Sequence, residues 1–180
     1  MLTKKIKISL TTFLLFLITE ISYSLEPNIF IQSTVNRASQ ILSNDISKNE
    51  KIEKLKVVAI DTVDIRGIGF YTLGKFRKEL NEEQKEKYAE LFKKYFLKSF
   101  SSRLAEYTNP KIEVQSQEKL SDKYTIVSSI LIATKDRPEV KIQWRVYTKN
   151  PEKPLIRDLI IEGLSLARTQ KEEFGSIIKS

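Results

Sequence analysis

The chain has 180 residues, of which 41% are hydrophobic and 30% charged, with a formal net charge of +8. This balance is typical of a globular protein with an apolar core, and five prolines and five glycines are too few for a low-complexity chain. Cysteine and histidine are both absent, which excludes disulfides, Cys–His nucleophile pairs and ordinary zinc sites.

Residues 1–24 have the three parts of a cleaved signal peptide. Three lysines come first, an apolar run of 11 residues from Ile8 to Ile18 follows, and Ser22 and Ser24 fit the positions before a cleavage site. The run is shorter than the roughly 20 residues that span a bilayer. An uncleaved anchor is the alternative, which the glutamate soon after the run disfavours. We therefore expect export and a single mature domain over residues 25–180.

The first half of the mature chain has a helical period. Apolar residues recur at three- and four-residue spacing over residues 27–43, and further helical segments are predicted at 46–58 and 68–76. The longest predicted helix begins at an Asn81 cap, where Gln84 can complete a capping box, and ends before an Asn-Pro pair.

One face of this long helix is a stripe of mostly aromatic side chains. The stripe comprises Tyr88, Leu91, Phe92, Tyr95, Phe96, Ser99, Phe100, Leu104 and Tyr107. The lysines and Arg103 are expected on the opposite face. The simplest interpretation is a core face packed against a sheet. The alternative is an imperfectly closed interface that leaves a hydrocarbon-lined cleft, which is how lipid pockets are built, and periodicity does not separate the two.

After residue 110 the period changes from 3.6 to 2, which indicates strands. They are predicted near 112–114 and over 124–134, 140–147 and 156–166, with a closing helical segment at 172–178. Helices followed by antiparallel strands predict an α+β fold, in which N-terminal helices pack on one face of a curved antiparallel sheet of about four strands.

Two carboxylate pairs are candidate chemical sites. Asp61 with Asp64, or Asp158 with Glu162, would offer acid–base groups or a cation site, but helix capping and a salt link with Arg157 are the simpler interpretations. The sequence contains no phosphate-binding loop and no nucleophile elbow. The basic residues form no dense run, so nucleic acid is not the expected partner.

Two further signatures lie in order behind the leader. The first comprises residues 72–76 (TLGKF), 81–84 (NEEQ), Phe92 and 103–107 (RLAEY), and the second comprises residues 158–166 (DLIIEGLSL) followed by Phe174. Together they resemble the signatures of the MlaC-type periplasmic phospholipid-binding proteins, also called the toluene-tolerance family. The resemblance extends over nearly the whole mature chain.

The resemblance implies a nuclear-transport-factor-2-like fold that holds phospholipid tails between helices and sheet, without catalysis, cofactor or metal. It implies a monomeric carrier in the periplasm that maintains outer-membrane lipid asymmetry. The implied partners are an inner-membrane ABC transporter complex with its substrate-binding ring and an outer-membrane lipoprotein–porin complex. The alternatives are a ligand-free envelope scaffold and an exported hydrolase or isomerase that uses aspartate carboxylates.

We predict the tail-binding residues from the helical stripe and the inner faces of the strands. The helical residues are Phe70, Leu73, Phe92, Tyr95, Phe96 and Phe100. The strand residues are Ile126, Ile130, Ile142, Trp144 and Val146.

Overall fold

The computed structural model describes residues 24–179, so all but the last residue of the predicted signal peptide lies outside the described residues. The helices are α1 (Pro27–Ser43), α2 (Lys48–Thr62), α3 (Ile65–Thr72), a short 3-10 helix (Gly74–Lys78), α4 (Glu82–Leu104) and α5 (Leu166–Lys179). The strands are β1 (Ile112–Ser121), β2 (Tyr124–Leu131), β3 (Val140–Tyr147), β4 (Leu155–Ile161) and β5 (Leu164–Ser165). In the described part of the chain, no helix is both long and apolar enough to span a membrane.

The starts of two helices follow from capping boxes. The Asn81 side chain accepts a hydrogen bond from the Gln84 backbone N–H at 2.8 Å, and the Gln84 side chain accepts one from the Asn81 N–H at 3.0 Å. Ser47 and Glu50 form the same arrangement before α2. Each box satisfies two backbone donors that a helix leaves unpaired at its first turn, so the predicted start of the long helix is confirmed.

The strands form one antiparallel sheet in the order β1 to β5, and the helices pack on one of its faces. The predicted α+β class is therefore confirmed, with a fifth strand of only two residues. The core joins the two layers. It includes Phe30, Ile31 and Val35 of α1, Ile65 and Ile68 of α3, Phe92 of α4, and Val127, Ile142, Trp144, Val146 and Ile156 of the sheet.

Strand β4 contains a bulge that changes which residues face the helices. Val146 pairs with Ile156 and Arg145 pairs with Asp158, so Arg157 is an extra residue without a partner on β3. A bulge interrupts the two-residue alternation of a strand. Ile156 and Leu159 consequently lie on the same, helix-facing side although two residues separate them.

The predicted single strand over residues 156–166 is wrong. Strand β4 ends at Ile161, and the chain then reverses through Glu162 and Gly163, whose φ angles are 49° and 82°. Both values lie in the left-handed region, which glycine adopts without strain. The short β5 pairs back onto β4, and α5 begins directly afterwards, six residues before the predicted helical segment at 172–178.

The predicted orientation of β2 is also wrong. Val127 lies opposite Trp144, whereas Ile126 lies opposite Arg145 and Ile130 lies opposite Lys141. Because residues directly opposite each other share a face, Ile126 and Ile130 point away from Trp144. The helix-facing positions of β2 are Thr125, Val127, Ser129 and Leu131.

Candidate functional site

The aromatic stripe of α4 forms a continuous stack along the helix. Ring centroids are separated by 6.0 Å for Tyr88 and Phe92, 6.2 Å for Phe92 and Phe96, and 5.2 Å for Phe96 and Phe100. These pairs are four residues apart, the spacing that brings side chains together on a helix. Phe174 of α5 meets the Phe92 ring edge-on at 6.1 Å. The stack is therefore closed from one side by α5.

A cavity of about 210 Å³, here called the aromatic cavity, lies between α4, α5 and β4. Most of its wall is hydrocarbon. It is lined by Phe92, Tyr95, Phe96, Ser99, Phe100 and Arg103 of α4, by Ile156, Asp158 and Leu159 of β4, by Leu166, Ala167, Thr169, Gln170 and Glu173 of α5, and by Val63 and Ile68. The β4 bulge is what places Ile156 and Leu159 together in this wall.

The aromatic cavity has a buried end and an open mouth. Phe92 is only 3% exposed, whereas Tyr95 and Leu166 are 44% and 40% exposed. Arg103 and Glu173 are also exposed and line the mouth. The site thus combines an apolar interior with an amphipathic rim, the character expected for a ligand with a long hydrocarbon part.

Asp158 attaches the start of α5 to the sheet beside this cavity. Its carboxylate accepts hydrogen bonds from the Ala167 backbone N–H at 3.0 Å and the Ser165 hydroxyl at 2.6 Å. The side chain is 3% exposed, and its nearest cation is the Arg145 guanidinium at 3.9 Å. A carboxylate at a helix N-terminus satisfies backbone donors and interacts favourably with the helix dipole. Asp158 therefore has a structural role.

Asp64 is likewise occupied by structural contacts. It caps α3 by accepting from the Gly67 N–H at 2.8 Å, and it pairs with Arg157 at 2.6 Å. Burial alone would lower the pKa of Arg157, but hydrogen bonds to Tyr124 and Asp64 outweigh it and raise that pKa, so the arginine stays charged.

The remaining carboxylates do not form a reactive pair. Asp61 forms an exposed ion pair with Arg37 at 2.8 Å, and Glu162 accepts from the Lys141 N–H. Asp158 and Glu162 therefore bind different groups. Among residues 24–179 there is no cluster of three carboxylates that would hold a metal ion.

The structure brings four of the predicted tail-binding residues together in the aromatic cavity. These are Phe92, Tyr95, Phe96 and Phe100. Arg103 also lines the cavity, although the helical pattern predicts it on the opposite face.

The other seven predicted residues lie outside the lining of the aromatic cavity. Trp144 is a core residue whose indole N–H donates to the Ser129 hydroxyl at 2.8 Å. The guanidinium groups of Arg66 and Arg77 lie over the Phe70 ring, at 4.7 and 4.6 Å from its centroid. Ile126 and Ile130 lie on the other face of the sheet. The remaining three residues, Leu73, Ile142 and Val146, are buried elsewhere in the molecule.

The profile of the MlaC protein family matches residues 32–180 of this chain. Among solved structures, a phospholipid-binding protein from Ralstonia solanacearum, determined in complex with a phospholipid, has a TM-score of 0.71 with this chain at 19% sequence identity. The match covers 86% of this chain and 88% of that one. At this identity it shows a common fold, and the family match extends over far more than half of the sequence. The chain therefore belongs to the MlaC family, a family of non-enzymatic lipid carriers.

Proposed function

We propose that this protein binds phospholipid by its acyl chains and that the aromatic cavity is where the tails enter. The observation that supports this proposal is the apolar wall formed by Phe92, Phe96 and Phe100 against Ile156 and Leu159. The Ralstonia solanacearum protein of the same fold was solved with a phospholipid. The structural roles of Asp64 and Asp158 count against the alternative of an exported hydrolase.

The size of the cavity implies that it widens during loading. About 210 Å³ is less than the roughly 300–1,000 Å³ of typical ligand pockets. Helix α5 forms one wall of the cavity. Only its start is held by the tight turn and the Asp158 contacts, so displacement of α5 from α4 is the simplest way to enlarge the cavity. The free energy gained by burying an acyl chain in the enlarged cavity is large, because each buried methylene contributes roughly 0.8 kcal/mol.

We further propose that the protein shuttles lipid across the periplasm, between an outer-membrane lipoprotein–porin complex and an inner-membrane ABC transporter complex with its substrate-binding ring. A lipid held by roughly 10 kcal/mol per long chain leaves into water slowly. Transfer therefore requires docking partners that offer an apolar path. Family membership and the leader sequence support this part of the proposal.

Mass spectrometry of lipid extracted from the mature protein, purified without detergent, tests the binding proposal. Ser99 lines the aromatic cavity, whereas Leu91 on the same helix is 53% exposed. We expect near-stoichiometric phospholipid in the wild type and in the matched control Leu91→Phe. Ser99→Phe places a ring in the cavity and should reduce occupancy severalfold without lowering the thermal midpoint by more than a few degrees.

Two outcomes would contradict the proposal at different levels. A wild-type protein that is empty, and that takes up no phospholipid from vesicles, would favour the ligand-free scaffold. Full occupancy in folded Ser99→Phe would place the tails elsewhere in the molecule. The shuttle is tested by the transfer of a fluorescent phospholipid between two vesicle populations with purified partner complexes, which should depend on the carrier.

A further inference from the structure

A second cavity of about 340 Å³ adjoins the aromatic cavity, and its lining side chains are more polar. Its wall includes two guanidinium groups, from Arg145 and Arg157, and the Tyr124 side chain. Leu120 and Tyr71 supply apolar surface and are 50% and 45% exposed, so they mark the side that opens to solvent. We call this space the arginine cavity.

The two cavities share part of their walls. Ile68, Asp158 and Ala167 line both of them. Asp158 is held by its hydrogen bonds to α5, and Ala167 has only a methyl group. Ile68 is therefore the one large apolar side chain in the shared wall, and its neighbours in sequence are glycines at positions 67 and 69. Ile68 is thus the large side chain that a lipid tail would have to pass to reach one cavity from the other.

The two arginines differ in how far the protein already satisfies them. The Arg157 Nε and Nη2 atoms contact Asp64, its Nη1 atom donates to the Tyr124 hydroxyl at 2.8 Å, and its guanidinium lies 3.8 Å from the Tyr147 ring centroid. Arg145 has only the 3.9 Å contact with Asp158, which is beyond hydrogen-bond distance.

Arg145 is thus the available anion-binding group of the arginine cavity. Within the described residues, its guanidinium donors have no protein acceptor at hydrogen-bond distance, and its side chain is 42% exposed. The Tyr124 hydroxyl accepts from Arg157, which leaves its own proton free to donate. A guanidinium fork together with a phenol hydroxyl is well suited to the oxygens of a phosphate group.

We propose that the arginine cavity binds the phosphate of the cargo lipid, with Arg145 as the principal ligand, while a tail passes the Ile68 wall into the aromatic cavity. This inference rests on the proposed phospholipid binding and adds a headgroup site to it. It predicts that the protein distinguishes lipids with a phosphate from lipids with the same tails and no phosphate. A headgroup that stays at the Arg103 mouth is the competing geometry.

The test compares phosphatidic acid with diacylglycerol of identical chains. Delipidated full-length mature protein is loaded from phosphatidylcholine vesicles that contain equal trace amounts of the two isotopically labelled lipids, and the loaded ratio is measured by mass spectrometry. We expect the wild type to favour phosphatidic acid at least about tenfold, the factor given by about 1.4 kcal/mol. Arg145→Gln should abolish this preference, and Arg145→Lys should retain part of it.

Arg168→Gln is the matched control, because Arg168 is an exposed arginine that lines neither cavity. It should leave the preference unchanged. If Arg103→Gln abolishes the preference and Arg145→Gln does not, the phosphate lies at the outer mouth and the inference is overturned. Equal loading of both lipids by the wild type also overturns it. All variants are compared by circular dichroism, so that a folding defect in Arg145→Gln is recognised and Arg145→Lys then decides.

Two controls separate this inference from the function on which it rests. A wild type that loads no labelled lipid refutes phospholipid binding itself, whereas normal loading without Arg145 dependence refutes only the headgroup site. Inorganic phosphate distinguishes the two sources of the anion. Saturable, Arg145-dependent binding of inorganic phosphate, measured by calorimetry, together with equal loading of the two lipids would assign the site to free phosphate and overturn its assignment to a lipid headgroup.

Discussion

Replacing Asp158 tests how α5 is held against the sheet. The carboxylate is 3% exposed and accepts one bond from the Ala167 N–H and one from the Ser165 hydroxyl. Asp158→Asn keeps the shape, but its amide has only one oxygen, which can still accept from the Ala167 N–H. The Ser165 hydroxyl must instead accept from the amide NH2, so one bond becomes neutral and the other is reversed, at a cost of roughly 1 kcal/mol per bond. Loss of the negative charge at the helix start adds about 0.3–1 kcal/mol. We expect Asp158→Asn to lower the free energy of unfolding by about 2–3 kcal/mol.

Asp158→Ala should lower the free energy of unfolding further, by about 4 kcal/mol in total, because it leaves the buried Ala167 N–H without an acceptor. The control is Glu162→Gln, since the Glu162 carboxylate also accepts from a backbone N–H but is exposed. Its expected cost is below about 1 kcal/mol. The structure thus predicts that Asp158→Ala is the least stable of the three variants, followed by Asp158→Asn and then by Glu162→Gln.

Urea unfolding followed by far-ultraviolet circular dichroism measures these differences. The protein must be delipidated first, because a ligand that binds only the folded state raises apparent stability. Hydrogen exchange of the α5 amides should accelerate in Asp158→Asn before that of the β3 amides. If Asp158→Asn is as stable as the wild type within about 0.5 kcal/mol, the carboxylate does not anchor α5.

Three further predictions concern single side chains. Ser101 is fully buried, and its hydroxyl has no hydrogen-bond partner within residues 24–179. Ser101→Ala should therefore raise the free energy of unfolding by about 0.5–1 kcal/mol; a lower free energy in urea unfolding would show that the hydroxyl does have a partner. A Cβ at Gly67 would clash with the Asp64 carboxylate, so Gly67→Ala should lower the free energy of unfolding by about 1–3 kcal/mol. In the control Gly175→Ala, the added Cβ meets no atom within 4 Å, so this variant should be neutral or stabilising; equal thermal midpoints of the two variants would contradict this. Phe92→Ala should cost about 3–5 kcal/mol and lower lipid occupancy; an unchanged occupancy would show that the aromatic stack is only structural.

Much of the architecture could be predicted from the sequence because it is encoded locally. The helix over 27–43 and the strand over 140–147 coincide with α1 and β3. Their apolar residues follow one period from end to end, and the residues that start α4 satisfy their own backbone. Patterns of this kind depend on neighbours within four positions, which a sequence displays directly.

The candidate site was harder to predict because its strand wall depends on irregular backbone. Strand β2 has apolar residues at both 126 and 127 and at both 130 and 131, so either face could be the inner one. The register with β3 decides, and register is a property of two strands. The bulge at Arg157 and the turn at Glu162 and Gly163 place Ile156, Leu159 and α5, and neither follows from apolar alternation.

Both edges of the sheet are unsuited to pairing with another copy of the chain. Strand β1 has two register irregularities and is exposed from Gln115 onward, and the α1 side chain of Gln32 accepts from the Val114 N–H. The opposite edge is β5, only two residues long and followed directly by α5. Irregular, charged or very short edge strands oppose edge-to-edge aggregation. The proposed shuttle requires a carrier that diffuses as single molecules, and edges of this kind disfavour its self-association through the sheet.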